Sequence, residues 1–322
     1  MEGKETYKTV LISGTAGFIG SHLCERFLTE GFDVIGVDNF RSGSIENIKH
    51  FSKNDRFEFY NFDLLNPFSI DRKIDIVLHF ASLASPKYYL TYPVESLLVN
   101  SQGTLSLLEI ARKQNARFIL ASTSEVYGDP LQHPQKESYW GNVNPVGVRS
   151  VYDEGKRFAE SLSMTYFRQF NLDIRIIRIF NTYGPRMGVN DGRVIPNFIV
   201  SALKNENLEI YGDGKQTRSF CYIDDLVEGI CRIVFKDNIK GEIFNLGNPE
   251  EVKVIDLAKK IIQLTDSKSH IIFVKASEDE PRRRCPDISK AKAILDWQPK
   301  VSLEEGLIKT VEYFRKKSVY AT

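Results

Sequence analysis

Six short apolar runs punctuate the first 180 positions: TVLIS (9–13), FDVIGVD (32–38), FEFYNFD (57–63), IDIVLHFA (74–81), RFILAST (117–123) and IRIIRIF (174–180). They are rich in Ile, Val and Phe and mostly continuous rather than alternating in polarity. Strands covered on both faces read this way, so the runs predict a parallel sheet. Helical patterns fall between them at about 18–30, 94–113 and 152–170. Strand alternating with helix predicts an α/β fold, a doubly wound parallel sheet. After Phe180 the rhythm breaks at NTYGPRMGVNDGRVIP, a stretch full of Gly, Asn and Pro, and FNLGN (244–248) reads as a strand returning to the sheet. The expected organisation is a first domain over 1–180, with about 221–250 returning to it, and a smaller interleaved C-terminal domain from 181–220 and 251–322. The remainder of that second domain reads as mostly helical.

The bulk numbers exclude several classes of function. Lys and Arg total 43 against 42 Asp and Glu, so no global field recruits nucleic acid or an anionic membrane. No uncharged apolar run approaches membrane-spanning length, and MEGKETYK leads into the first strand without the pattern of a signal peptide. Four cysteines (24, 221, 231, 285) form no C-x-x-C pair, which suits reduced thiols in a cytoplasmic protein. Five scattered histidines predict no metal site.

The turn after the first run carries glycines at 14, 17 and 20, in LISGTAGFIGSHL. Placed between a strand and a helix, this pattern marks a Rossmann dinucleotide site. Glycines let the backbone approach a pyrophosphate, whose charge then sits at a helix N-terminus. Phe18 and Ile19 lie within the same turn and helix start. Asp38 ends the second run, where a carboxylate accepts from both ribose hydroxyls and repels a 2′-phosphate, so NAD is expected over NADP. Asn39 and Arg41 just beyond, and Asp63 and Leu64 after the third run, complete the expected cofactor contacts, with Asp63 toward the adenine edge. Arg41 argues for a phosphate, but Asp38 at the strand end is expected to prevail.

Tyr-x-x-x-Lys occurs three times: Tyr152 with Lys156, Tyr211 with Lys215, and Tyr313 with Lys317. The second pair encloses Gly212 and Gly214 and reads as a turn, and the third sits in a basic tail on a solvated helical face. Only the first opens a helix downstream of a glycine loop. A free tyrosine titrates near ~10, about 4 kcal/mol too weak as a base at neutral pH. An ammonium about 4 Å away, in an environment of intermediate dielectric, supplies about that much. Tyr152 is therefore the expected proton acceptor and Lys156 its partner and a holder of the nicotinamide ribose. Thr123, in ASTSEVYG at the end of the fifth run, is expected to share the substrate hydroxyl.

These stretches, with YDEGK (152–156) and FNTYGPR (180–186) falling in order, resemble the extended short-chain dehydrogenase/reductases, enzymes of nucleotide sugars. The resemblance covers essentially the whole chain. The 4,6-dehydratases carry Asp then Glu after the catalytic Thr, and the 4-epimerases have no carboxylate at the Glu125 position. Ser124-Glu125 resembles the UDP-glucuronate decarboxylases, as do HPQ-ES-YWGNVNP (133–145), DGRV (191–194), TRSFCY (217–222) and PRRRCPD (281–287). The resemblance implies oxidation at C4, loss of carbon dioxide from the resulting β-keto acid, protonation at C5 and return of the hydride, with no net redox. It implies that Glu125 and Arg284 manage the carboxylate and the protonation. It also places Ser124, Asn181, Arg193, Tyr211 and Arg218 against the UDP-sugar, the arginines suiting phosphate by their planar fork. A homodimer is implied through the helices at 94–113 and 152–170.

Two positions depart from the decarboxylase pattern: Leu98 where a lysine is expected, and Leu83 where a proline is. The Leu98 departure keeps an N-acetylated UDP-uronate open as substrate. A 4,6-dehydratase, a 4-epimerase and a cofactor-sensing binding protein are the other readings.

Overall fold

The computed structural model describes residues 8–275 and 283–319. The strands β1 (Thr9–Ser13), β2 (Asp33–Asp38), β3 (Phe57–Asn61), β4 (Ile76–His79), β5 (Arg117–Thr123) and β6 (Ile174–Ile179) form one sheet with a seventh, Ile243–Leu246. Their order is Ile243–Leu246, β6, β5, β4, β1, β2, β3, and every neighbouring pair is parallel. The strand order reverses between β1 and β4, and the crevice at the carboxyl ends there is where such sheets bind ligands. This is the doubly wound Rossmann sheet that the apolar runs predict.

Strand side chains alternate between two cores. Val10 and Ile12 of β1 join Ile76, Leu78, Ile119 and Ile177 on one face, with Leu23, Cys24 and Phe27 of helix α1 (Phe18–Thr29). Leu11 points the other way, with Val77, Phe118 and Leu120, against Leu107, Leu108 and Ala111 of helix Thr104–Gln114 and Ala159 and Tyr166 of helix Ser150–Phe170. Each such Leu, Ile or Phe contributes about 1.5–3 kcal/mol on burial. β3 is the edge strand, only partly covered, which its polar alternation reflects.

Beyond the sheet, Leu208–Tyr211 pairs in parallel with Ile271–Val274. Strand Thr217–Ser219 lies between Glu251–Lys253 and Arg283–Arg284. The described residues past 250 are mostly helical, as expected, and add three short strands that the sequence did not indicate. The runs IIFV and RR are too short to reveal their partners, which lie far away in sequence. No helix among the described residues is long and apolar enough to cross a membrane.

Candidate active site

The glycine turn makes a cradle that no side chain can fill. Gly14 has φ +77°, and a Cβ there would sit 2.7 Å from the Phe80 carbonyl carbon. At Gly20 a Cβ would lie 2.0 Å from the Gly14 oxygen, so its absence lets α1 pack onto the turn. Gly17 precedes the first residue of α1, and the helix has no acidic residue in its first turn to oppose an anion. The residues present therefore fit a dinucleotide. Asp38 faces the same crevice with Asn39, Arg41, Asp63 and Leu64. Its oxygens accept from the Ala16 and Phe40 amides at 2.9 and 2.7 Å, which orients the carboxylate. Burial raises its pKa, and those amides oppose the shift. Asn39 donates to Asp63 at 3.0 Å, and Leu65 N donates to the other Asp63 oxygen at 3.0 Å. Arg41 turns toward Glu95, 3.8 Å away, with its guanidinium 4.9 Å from the Tyr92 ring centre.

The cleft continues from the glycines past Phe18 and Ile19 to Thr123, Ser124, Glu125, Tyr152 and Lys156. The helix Ser150–Phe170 that carries the Tyr–Lys pair is pinned to the sheet by Glu160. That carboxylate receives both arms of Arg178 of β6, at 2.9 and 2.8 Å, and the Ser122 hydroxyl of β5 at 2.6 Å. Tyr152 and Lys156 are 5 % and 2 % exposed, so both sit in a nearly dry environment. Lys156 donates to the Ala121 carbonyl at 2.8 Å. Burial pulls its pKa down to about 7, with Glu160 opposing.

The Tyr–Lys arrangement departs from the sequence expectation in one respect. The ammonium lies 6.0 Å from the Tyr152 ring centre, and burial pushes the Tyr152 hydroxyl above the ordinary phenol range, only partly opposed by the Thr123 hydroxyl. Desolvation is the largest of the influences on this hydroxyl. The Thr123 hydroxyl also caps the turn Ser124–Tyr127, accepting from the Glu125 amide at 3.2 Å.

Glu125 is clamped by two arginines. Arg284 binds it through both terminal nitrogens, the Nη2 contact to Oε2 being 3.0 Å, and Arg149 Nη2 donates to Oε2 at 2.6 Å. Burial alone would raise the carboxyl, but Arg284 and Arg149 outweigh it and hold its pKa at about 2. Asp153, beside Tyr152, is pushed up to about 7 by burial and then by the Glu125 charge. Sequence reasoning missed Arg149 and Asp153, although Asp153 lies within the YDEGK stretch and Arg149 three residues before it.

Asn181, Arg193, Tyr211, Arg218 and Arg284 line this same cleft. Arg193 is paired with Asp191, one contact measuring 2.7 Å, and Arg218 donates to the Thr217 carbonyl at 2.9 Å. Lys317, read from sequence as part of a solvated face, also lines the cleft, its ammonium 5.7 Å from the Tyr313 ring centre. Leu98 is not among the residues lining either crevice. Leu83 is buried and packs with Tyr89 and Tyr152. Pro281 and Arg282 of the PRRRCPD stretch lie outside the described residues. His133, Glu251 and Cys285 bring metal-ligand types within 4.8 Å of one another, a grouping the scattered histidines did not foretell. Glu251 there already accepts from His133 at 2.9 Å and from Thr217.

The sequence profile of the family described as GDP-mannose 4,6 dehydratase matches residues 11–310. The chain is 51 % identical over 308 residues to UDP-glucuronic acid decarboxylase 2 of Arabidopsis thaliana, covering 96 % of this chain and 68 % of that protein. Among solved structures, UDP-glucose 4-epimerase from Thermotoga maritima, solved with UDP-glucose, superposes with a TM-score of 0.88 at 32 % identity, over 96 % of this chain and 99 % of that one. UDP-glucuronic acid 4-epimerase from Bacillus cereus, in complex with UDP-glucuronic acid and NAD, gives 0.85 at 31 % identity over 96 % and 99 %. With a glycine cradle, a Tyr–Lys helix and a strand-end threonine in one cleft, and with these relatives over nearly its whole length, the chain belongs to the extended short-chain dehydrogenase/reductases, in the family of the UDP-glucuronic acid decarboxylases.

Proposed function

We infer that the chain is an NAD-dependent decarboxylase of a UDP-linked uronic acid, taking UDP-glucuronate to UDP-xylose with no net redox. The observation that carries this reading is Glu125 held by both terminal nitrogens of Arg284 in the cleft that also holds Tyr152 and Thr123. An enzyme that loses carbon dioxide needs no acid for a leaving hydroxyl, and Ser124 stands where a dehydratase would carry that acid. The relatives at about half identity carry the same activity in their names.

Bound NAD would supply reversible hydride acceptance at sugar C4, so that the reaction has no net redox. Gly14, Gly17, Gly20, Phe18 and Ile19 would hold its pyrophosphate side, and Asp38, Asn39, Arg41, Asp63 and Leu64 its adenosine. Tyr152 takes the C4 hydroxyl proton, Thr123 shares that oxygen, and Lys156 holds the nicotinamide ribose. The carboxylate at C5 then lies β to a ketone, and its carbon–carbon bond breaks with the electron pair delocalised onto O4. Tyr152 and Thr123 donate to that oxygen, which lowers the barrier where charge develops. Arg284 orients the carboxylate before it leaves. Glu125, fixed as an acceptor, orients the water that supplies the C5 proton. Arg193, Arg218, Asn181, Ser124 and Tyr211 hold the UDP-sugar. The dehydratase reading lacks an acid for the leaving hydroxyl at Ser124, and the epimerase reading leaves the Glu125–Arg284 pair without a task.

The domain division follows from this reading: residues 1–180 and about 221–250 bind cofactor, and 181–220 with 251–322 bind nucleotide sugar. Exposed Leu97, Leu105, Phe158 and Phe170 on the helical face support a homodimer, testable by light scattering. Four buried free cysteines support a cytoplasmic setting. The deciding experiment is NMR of the purified protein with UDP-glucuronate and no reductant. UDP-xylose and bicarbonate are expected. A 4-keto-6-deoxy product from a neutral nucleotide glucose, or binding of NAD with no turnover of any nucleotide sugar, would overturn the reading.

A further inference from the structure

Behind Glu125 stands an arginine to which the reaction as described gives no task. Arg149 immediately precedes the helix Ser150–Phe170, and its Nη2 donates to Glu125 Oε2 at 2.6 Å. Arg284 reaches the same carboxylate from the short strand Arg283–Arg284, so Oε2 accepts from two guanidiniums borne by two separate elements. A single bidentate arginine leaves such a pair free to swing as a unit about the two side chains. A second donor from another direction removes that freedom. The three side chains are 19, 15 and 6 % exposed for Arg149, Glu125 and Arg284, so little water competes for these contacts.

Arg149 also reaches the proposed base by packing. Its guanidinium lies 5.9 Å from the Tyr89 ring centre, and Tyr89 stacks on Tyr152 with centroids 5.3 Å apart and planes 8° from parallel. The backbone turn is shared as well, since the amides of Tyr152 and Asp153 donate to the Arg149 carbonyl at 3.0 and 3.1 Å. One residue thus touches Glu125, the ring packed on Tyr152 and the start of the helix that carries Tyr152.

We propose that Arg149 is a positioning residue for the decarboxylation, holding the Glu125–Arg284 pair in register with Tyr152 from the helix that bears the tyrosine. The proposal rests on the decarboxylase reading above. Arg149 acts through Glu125, so its effect must vanish when Glu125 can no longer be positioned.

The test is a double-mutant cycle of Arg149→Met with Glu125→Gln, measuring kcat and KM for UDP-glucuronate, and cofactor binding by calorimetry. In the wild-type background Arg149→Met is expected to lower kcat about 10²-fold, as misplacement of a reacting group does, with KM changed less than about threefold. In the Glu125→Gln background the same change should cost no more than about twofold. Arg149→Lys, which keeps the charge, should recover most of the loss. Equal losses in both backgrounds, or a loss confined to KM, would overturn the proposal and make Arg149 a direct substrate contact. If Arg149→Met fails to bind cofactor, the cycle is run with Arg149→Lys, whose smaller loss must likewise disappear beside Glu125→Gln. Wild-type protein that releases no carbon dioxide sinks the decarboxylase reading itself, whereas decarboxylation with additive losses sinks only the role of Arg149.

Discussion

Lys156 stands one helical turn beyond Tyr152 with its ammonium 6.0 Å from the tyrosine ring centre and bonded to the Ala121 carbonyl. The lysine is therefore anchored independently of the phenol, and the hydroxyl can be removed without disturbing it.

Tyr152→Phe keeps the ring and its stacking on Tyr89, so the variant should fold and bind NAD and UDP-glucuronate nearly as the wild type does. It loses the proposed base for the C4 hydroxyl. Turnover should fall about 10²–10⁴-fold, the usual cost of removing a positioned general base. Single-turnover absorbance of the reduced nicotinamide reads this directly. A variant turning over at the wild-type rate would show that the Tyr152 hydroxyl is not the base.

Glu125→Gln and Arg284→His should fail at a later step, because neither residue is needed to withdraw hydride from C4. Both variants are expected to oxidise C4 and accumulate the reduced nicotinamide or a 4-keto species, while release of carbon dioxide falls about 10²-fold. Glu125→Gln also leaves two largely buried guanidiniums without their counter-charge, which should destabilise the fold by about 3 kcal/mol. Product NMR beside the absorbance trace separates the two steps, and loss of C4 oxidation in either variant would move these residues into the first step.

The parts of the site readable from sequence are those whose residues lie close together in the chain. β1 and β5 match their apolar runs residue for residue, because every position in them is buried. Tyr152 and Lys156 are legible because helical spacing alone brings them to one face. The Glu125 clamp is different. Arg284 lies 159 positions from Glu125, so no spacing pairs them; the family resemblance alone points to the pair, and the folding of Arg283–Arg284 beside Thr217–Ser219 brings it together. Arg149 lies 24 positions away, and a charged residue before a helix looks like any solvated cap. The raised pKa of Asp153 depends on burial and on the Glu125 charge, neither of which has a sequence signature. Lys317 reads as surface because nothing in the tail indicates that its helix borders the cleft.

Cofactor choice should follow Asp38. Its carboxylate is held by two backbone amides and lines the crevice where the adenosine ribose is expected, so a 2′-phosphate would meet a fixed negative charge. Arg41, the one cation among the described residues lining that crevice, is turned toward Glu95 and Tyr92. Calorimetry should give NAD a Kd at least about 10²-fold below that of NADP, since like charges in contact cost several kcal/mol. Asp38→Ala should narrow the gap. Equal affinities in the wild type would assign the contact to Arg41 instead.

Asp153 should make stability depend on pH with a particular sign. Burial and the neighbouring Glu125 charge raise its carboxyl from 3.8 to about 7, while Glu125 itself stays ionised down to about 2. Between about pH 4 and pH 7 the folded chain thus holds a proton on Asp153 that the unfolded chain has released. The stability this group contributes is complete below about pH 4 and is lost as pH rises through about 7. Asp153→Asn is a neutral side chain at every pH and carries no such dependence. All other groups are common to both proteins, including Lys156, which also titrates near 7, and they cancel in the difference. The melting temperature of the wild type minus that of Asp153→Asn should therefore fall between pH 5 and pH 8. The change should be on the order of a few kcal/mol, or several degrees in a chain of this length. Scanning calorimetry at those two values checks it. A difference that stays flat would mean that Asp153 remains ionised across the range, with Arg149 and Arg284 compensating its charge as fully as they do that of Glu125.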